Sequence, residues 1–252
     1  MICLVPSMGR AGDVLTARLF PKDKTFICVP EDELDAYLKF HDSKLLVGHP
    51  TSLIGLGQVR QWMLDNIPSD DKIVVMADDD LIKFQWLGGY EGYTGGAYRT
   101  IRDPAHVFEV LLQTAHICRD AGSTLFGFSE TNDIRKFNYP APFHTRTRIN
   151  GTAMGIINDG QVKFDPRLVL KQDFDFSLMT LYCKRFVWRD SRYAFVAKHW
   201  SNKGGCVSYR TIEAGTRCIE IMQEKYGEDV VFPDKKLPWK IHVRIPQRLL
   251  AK

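Results

Sequence analysis

The sequence predicts an α/β fold in one domain, a central sheet flanked by helices with a ligand crevice at the carboxyl ends of its strands. Short apolar runs bounded by turn residues, "ICLVPS" (Ile2 to Ser7), "TFICVP" (Thr25 to Pro30), "LLVGHP" (Leu45 to Pro50) and "KIVVMADDD" (Lys72 to Asp80), read as strands buried on both faces. Helix-like segments alternate with them: "GDVLTARLF", "EDELDAYLKFH" and "LGQVRQWMLDNI", where Val59, Trp62, Met63 and Ile67 keep helical spacing. Such alternation implies parallel strands joined by right-handed crossovers. The chain has 252 residues, 44% of them hydrophobic, enough for one enzyme-sized core, and no repeat or low-complexity linker forces a boundary.

Beyond the fourth strand the pattern loosens. "FQWLGGYEGYTGGAYRTIRD" (Phe84 to Asp103) is rich in glycine and aromatics and reads as a long loop of the kind that carries binding function. "PAHVFEVLLQTAHICRDAG" reads as a helix with Pro104 in its first turn and Gly122 at its C-terminal cap. A strand "STLFGFS", an irregular stretch, a strand "INGTAMGII" and an "NDG" turn leading to "QVKFD" follow. From Lys171 the pattern turns helical in "QDFDFSLMTLYCKRF" and then strand-like in "VWRDSRYAFV". The expected organisation is a first half over 1–83, a second half over 84–206, and a basic C-terminal helix and tail over 207–252.

The net charge of +4 is compatible with an anionic partner without specifying one. Six cysteines lie far apart with no C-x-x-C pair, which points to reduced core thiols in a cytosol-like compartment. The N-terminal apolar stretch is too short for a signal peptide, and no apolar run approaches the roughly 18 residues of a membrane span. A soluble, cytoplasmic protein without a membrane partner is expected.

Three consecutive aspartates, Asp78 to Asp80, close the fourth apolar run. Carboxylates at i and i+2 of an extended chain share a side, so Asp78 and Asp80 can converge on one divalent cation that removes their repulsion. A solvated acidic turn is the plainer alternative. Neither a P-loop "GKS" nor a "GxGxxG" is present, which argues against nucleotide hydrolysis and a dinucleotide site.

A strand ending in D-x-D about seventy residues in, followed by a carboxylate pair opening a later helix ("KQDFDFSL"), resembles glycosyltransferases of the GT-A fold. More narrowly, "VPSMGRAG", "VPEDE", "GLGQVRQWM", "VMADDDL", "QDFDFSL" and "HWSNKGG" are similar to the TET/JBP-associated DNA glycosyltransferases of phages and base-J-synthesising organisms. The resemblance runs from Val5 to about Gly205. It implies a GT-A domain with a mixed central sheet, in which 1–83 is the nucleotide-binding half and 84–206 the acceptor and catalytic half, extended here by the basic C-terminal segment.

The resemblance also implies roles. Pro6, Ser7 and Arg10 lie in the first strand-to-helix turn, where such enzymes receive the uracil of a UDP-sugar; an ordinary surface arginine is the alternative at Arg10. Arg60 corresponds to a family arginine that faces the nucleotide, or is simply an exposed helical residue. Asp78 would touch ribose or metal, and Asp80 would ligate Mn²⁺ or Mg²⁺ bridging the phosphates. Asp79 is counted with the nucleotide-binding residues, although strand alternation turns it to the opposite side. Asp173 is the expected general base and Asp175 its support or an acceptor contact; either is alternatively a carboxylate favoured by the helix N-terminus. The family's Glu-Asp pair is Gln172-Asp173 here. His199 matches a histidine that completes the metal shell, with Lys203 and Gly204 suited to closing over phosphates. Asn150 and Gly151 approach the donor sugar or merely pack closely in a strand.

For the acceptor, Trp86, Tyr90 and Tyr93 offer aromatic faces, while Arg135, Lys136, "HTRTR" (His144 to Arg148) and the basic C-terminus from Lys235 offer cations. The expected partner is double-stranded DNA whose hydroxymethylated pyrimidine leaves the stack. The expected activity is metal-dependent, inverting transfer of a hexose from a UDP-sugar to 5-hydroxymethylcytosine or 5-hydroxymethyluracil. A glycan, protein or small-molecule acceptor, and a non-catalytic nucleic-acid-binding module on the same scaffold, are the competing readings.

Overall fold

The computed structural model describes residues 1–88, 99–198 and 209–245. Its first half follows the expected rhythm: β1 (Ile2–Pro6), β2 (Thr25–Pro30), α1 (Leu34–Leu38), β3 (Leu46–His49), α2 (Gly55–Asn66) and β4 (Ile73–Ala77). The four strands are mutually parallel in the order β3-β2-β1-β4. The second half adds β5 (Leu81–Trp86), β6 (Arg99–Ile101), α3 (Pro104–Asp120), β7 (Leu125–Ser129), β8 (Phe143–His144), β9 (Ala153–Ile157), α4 (Gln172–Lys184) and β10 (Trp188–Ala197). These strands continue the same sheet as β4-β9-β7-β10-β5-β6, with β8 beside β10, and β9 runs antiparallel to both β4 and β7. The sheet is mixed.

Alternation along the strands buries both faces. Cys3, Ile73, Val75 and Ala77 point to the side covered by α3, where Val107, Leu111, Ala115 and Cys118 meet Phe84, Phe126 and Phe128. Leu4, Val74 and Met76 point to the side covered by α2 and α4, against Met63, Leu64, Phe176 and Leu181. Burial pushes the thiols of Cys3 and Cys28 well up, so these cysteines pack as inert apolar groups.

Three sequence expectations are corrected. The segment after β1 contains only a short 3₁₀ turn, Thr16–Arg18. Its polar groups are drawn sideways to the aspartates: Leu15 and Thr16 donate their backbone N–H to the Asp79 carbonyl, and the Thr16 hydroxyl donates to the Asp78 carbonyl. The aspartates follow β4 as expected but are not extended: β5 begins at Leu81, so residues 78–80 are a tight link between two strands and the alternation that set Asp78 and Asp80 on one side does not apply. "QVKFD" forms no strand; the partner of β4 is β9 itself, and Phe164 N–H is taken by the Gln61 side chain at 2.9 Å.

The described part of the C-terminal region is α5 (Ile212–Tyr226) and a hairpin of β11 (Val231–Pro233) and β12 (Ile241–Val243). Residues 246–252 of the expected basic tail lie outside the described residues. Leu168 and Leu178 pack with Ile219, Ile221, Met222 and Val231, and Lys225 bridges Asp165 and Asp175. Arg167, and after it Lys225, hold the Asp165 carboxyl well below its ordinary 3.8. The folded carboxylate thus binds its proton less tightly than the unfolded one. Its contribution to stability is fully present above about pH 4 and is lost as the pH falls below that. Asp165→Asn is expected to lower Tm at pH 7 and to flatten the acid limb of Tm against pH; an unchanged acid limb would remove Asp165 from that role.

Candidate active site

A cleft of about 640 Å³ opens at the carboxyl ends of the parallel strands, the place a doubly wound sheet offers a ligand. Pro6, Ser7, Arg10, Arg60, Asp78, Asp79, Asp80, Asn150, Gly151 and Asp173 all line it. Residues separated by more than 160 positions thus meet in one cavity. His199, Lys203 and Gly204 lie outside the described residues, as do Tyr90 and Tyr93.

One wall is the turn after β1. Asp79 accepts from the Ser7 hydroxyl and from Arg10 Nη1, each at 2.6 Å, and Ser7 is also within 2.8 Å of the Tyr37 hydroxyl. Burial raises the Asp79 carboxyl, and Ser7 and Arg10 offset part of the rise. The alternation argument that turned Asp79 away fails because residues 78–80 are not extended; Asp79 fastens the first turn to the triplet.

The floor is Arg60, an interior residue of α2 that is 0% exposed. Its guanidinium donates to Asp78 Oδ1 at 3.0 Å, to the Gly151 carbonyl and to Met154 Sδ at 3.5 Å. Asp78 is also pinned through its backbone, whose N–H reaches the Thr152 carbonyl at 2.9 Å. Its side chain is 37% exposed toward the cavity, yet protein encloses it on the other sides. That enclosure, opposed by Arg60 and reinforced by Asp80, Asp79 and Asp173, pushes its carboxyl up to about 7. Asp78 and Asp80 both line this cleft, and carboxylate oxygens are the donors that Mn²⁺ or Mg²⁺ would take. Among the described residues no group of three or more His, Cys, Asp or Glu gathers closely enough to complete a metal shell.

The opposite wall is the start of α4. Asp173 Oδ2 accepts from Gly151 N–H at 3.1 Å and from Arg148 Nη1 at 3.0 Å. Both bonds fall on Oδ2, and Asp173, 9% exposed, lines the cleft. Gly151 has to be glycine: a Cβ there would lie 2.9 Å from Arg60 Nη1 and 3.0 Å from Asp173 Cβ. Asn150 Oδ1 accepts from the N–H and hydroxyl of Thr152, both at 3.0 Å, and so shapes this turn. Gly55, at φ +80°, lets α2 begin beside the cleft, and a Cβ there would lie 2.7 Å from Val169 Cα.

Asp175 is elsewhere. It is 0% exposed, takes a hydrogen bond from the Tyr226 hydroxyl at 2.7 Å and pairs with Lys225. Positions two apart on a helix point about 200° away from each other, so Asp173 and Asp175 cannot share a face of α4. Asp175 anchors the C-terminal segment, and the catalytic expectation for it is corrected accordingly. Residues not anticipated as part of the site include Lys171, held at φ 60° and bonded through Nζ to the Trp239 carbonyl, together with Tyr209 and Arg210. Arg148, anticipated only as a cation for DNA, instead bridges Asp173 and Glu130, at 3.0 and 2.9 Å, and lies 4.1 Å over the Phe174 ring.

A family model described as TET-Associated Glycosyltransferase matches residues 1–205. The chain belongs to this family. No curated protein matches the sequence. Among solved structures, S. aureus TarS 1-349 in complex with UDP-GlcNAc is similar at a TM-score of 0.51, with 13% identity over 91% of this chain and 74% of that one. A second S. aureus TarS 1-349 structure gives a TM-score of 0.47 and 12% identity over 91% and 73% of the two chains. The mixed sheet with flanking helices, shared with the UDP-GlcNAc complex, is the GT-A fold, and this TET-associated glycosyltransferase carries its cleft where the parallel strands end. No helix among its described residues is long and apolar enough to cross a membrane.

Proposed function

We propose that the protein transfers a hexose, with inversion, from a UDP-sugar to the hydroxymethyl group of 5-hydroxymethylcytosine or 5-hydroxymethyluracil in double-stranded DNA, and that transfer depends on a divalent metal. The observation that carries this reading is the meeting of Asp173 with the Asp78–Asp80 link across one cleft, braced by Arg60 and Gly151. Family membership supports the glycosyl transfer and, through the family's description, the DNA acceptor. The UDP-GlcNAc bound to the structurally similar TarS supports a nucleotide-sugar donor.

The first turn, with Pro6, Ser7 and Arg10, holds the nucleotide, and Asp79 keeps that turn in place. Asp78 and Asp80 would hold Mn²⁺ or Mg²⁺, which supplies neutralisation of the departing diphosphate. Asp173 takes the proton of the acceptor hydroxyl on Oδ1 as that oxygen forms its bond to the sugar C1. Attack from the side of Asp173, with the diphosphate leaving toward Asp78 and Asp80, inverts the anomeric centre. His199, Lys203 and Gly204 are assigned to the metal and phosphates by the family resemblance alone.

The test is to incubate the protein with a panel of UDP-sugars and duplex DNA with or without each hydroxymethylpyrimidine, then analyse the nucleosides by mass spectrometry. A hexosylated hydroxymethylpyrimidine is expected, abolished by a chelator and restored by Mn²⁺ or Mg²⁺. Transfer only to a glycan, protein or small molecule would remove the DNA acceptor, and transfer indifferent to chelation would remove the metal.

A further inference from the structure

The Arg148 guanidinium stands between two cavities. Through Nη1 it holds Asp173, a wall of the cleft already described. On its other side it lines a second, more open cavity of about 490 Å³. The core contributes Arg146 and Phe174 to that cavity, and the C-terminal hairpin contributes Ile241, His242 and Val243.

The charges there leave one cation in excess. Glu130 is neutralised by Arg148 at 2.9 Å and Arg189 at 3.5 Å, and His242 is paired with Asp234 at 2.8 Å. Arg146 is exposed and forms no ion pair with any described residue. Phe174, Ile241 and Val243 give the cavity an apolar side. A site with one available guanidinium beside an apolar wall suits a phosphodiester carrying a planar base.

We infer that this second cavity receives the acceptor DNA, with Arg146 on a backbone phosphate and the hairpin wall beside the nucleoside, so that the hydroxymethyl group reaches Asp173 past Arg148. The inference rests on the proposed DNA reading. Access decides the direction: the donor occupies the first cleft, and the flank of Asp173 that carries Arg148 is where the second cavity opens. The hairpin lies beyond residue 205, where the family match ends, so the acceptor wall is built from sequence that the family model does not describe.

Two variants of the full chain test this with hydroxymethylated duplex. Val243→Trp fills the cavity and is expected to raise KM for DNA by about tenfold or more, equivalent to about 1.4 kcal/mol. Arg146→Ala is expected to reduce the slope of log affinity for DNA against log salt by about 1. The dissociation constant for UDP, measured by calorimetry, checks that each variant is folded and should stay within about twofold, a change of under half a kcal/mol. A wild-type protein that modifies DNA, with both variants keeping its KM and salt slope, overturns the inference alone. A wild-type protein that leaves DNA unmodified overturns the DNA reading and the inference together.

Discussion

Asp173→Asn is expected to lower kcat by about a hundredfold or more, the scale of general base catalysis, while binding of UDP is nearly unchanged. The amide keeps the size of the carboxylate, and its oxygen can still accept from Gly151 N–H or Arg148 in the position of Oδ2. What it loses is the capacity of Oδ1 to take a proton. The same substitution at Asp175 separates chemistry from scaffold. Asp175→Asn should lower Tm, because Lys225 and Tyr226 lose their charged partner, without a comparable fall in kcat. Turnover measured under single-turnover conditions, with calorimetric UDP binding, decides between the two; full activity in Asp173→Asn would exclude it as the base.

Arg60→Met is the second large effect, and it acts on stability and on the site at once. Arg60 is fully buried, its Nη2 pairs with Asp78, and the same nitrogen holds the Gly151 carbonyl. Methionine fills much of the volume but leaves Asp78 facing Asp79, Asp80 and Asp173 without its nearest cation. The expected cost is about 3 kcal/mol, the low end for breaking a buried pair because Asp78 is open to the cavity. Urea unfolding measures it. Weakened UDP binding should accompany it, and Arg60→Lys should recover only part of the loss, since a single ammonium on a shorter stem lacks the second nitrogen, Nη1, that meets Met154 Sδ. A methionine variant within about 0.5 kcal/mol of wild type would show that Arg60 is dispensable to the floor.

The sequence showed the parallel half of the sheet because its inner strands β1, β2 and β4 are continuous apolar runs buried on both faces, while β3, at the edge, is a shorter and only partly buried run. It showed most of the cleft for a related reason: Ser7, Asp78 and Asp173 follow or open elements at the carboxyl edge, and an α/β sheet delivers that edge to one crevice. Other features depend on long-range partners and left no local mark. The loop after β1 has helical composition, but its N–H groups go to the Asp79 carbonyl. Arg148 lies 25 residues from Asp173, and nothing in "HTRTR" announces that pairing. The short spacing of Asp173 and Asp175 suggests a shared site, whereas helical geometry sends them to opposite sides of α4. The C-terminal hairpin has strands of only three residues each, too short to leave a periodic mark in the sequence.

Helix α4 touches both ends of this arrangement. Its first turn presents Asp173 to the cleft, while Asp175 and Leu178 on its far side are fastened to Lys225, Tyr226 and the apolar face of α5. The residues recognised by the family model therefore do not make a self-sufficient folding unit in this chain. Cutting after residue 205 would strip water-excluding cover from Leu168 and Leu178 and strand the buried Asp175 charge one half-turn from Asp173. A domain boundary drawn by homology and one drawn by physics fall in different places here, and the second is the one that keeps Asp173 in place.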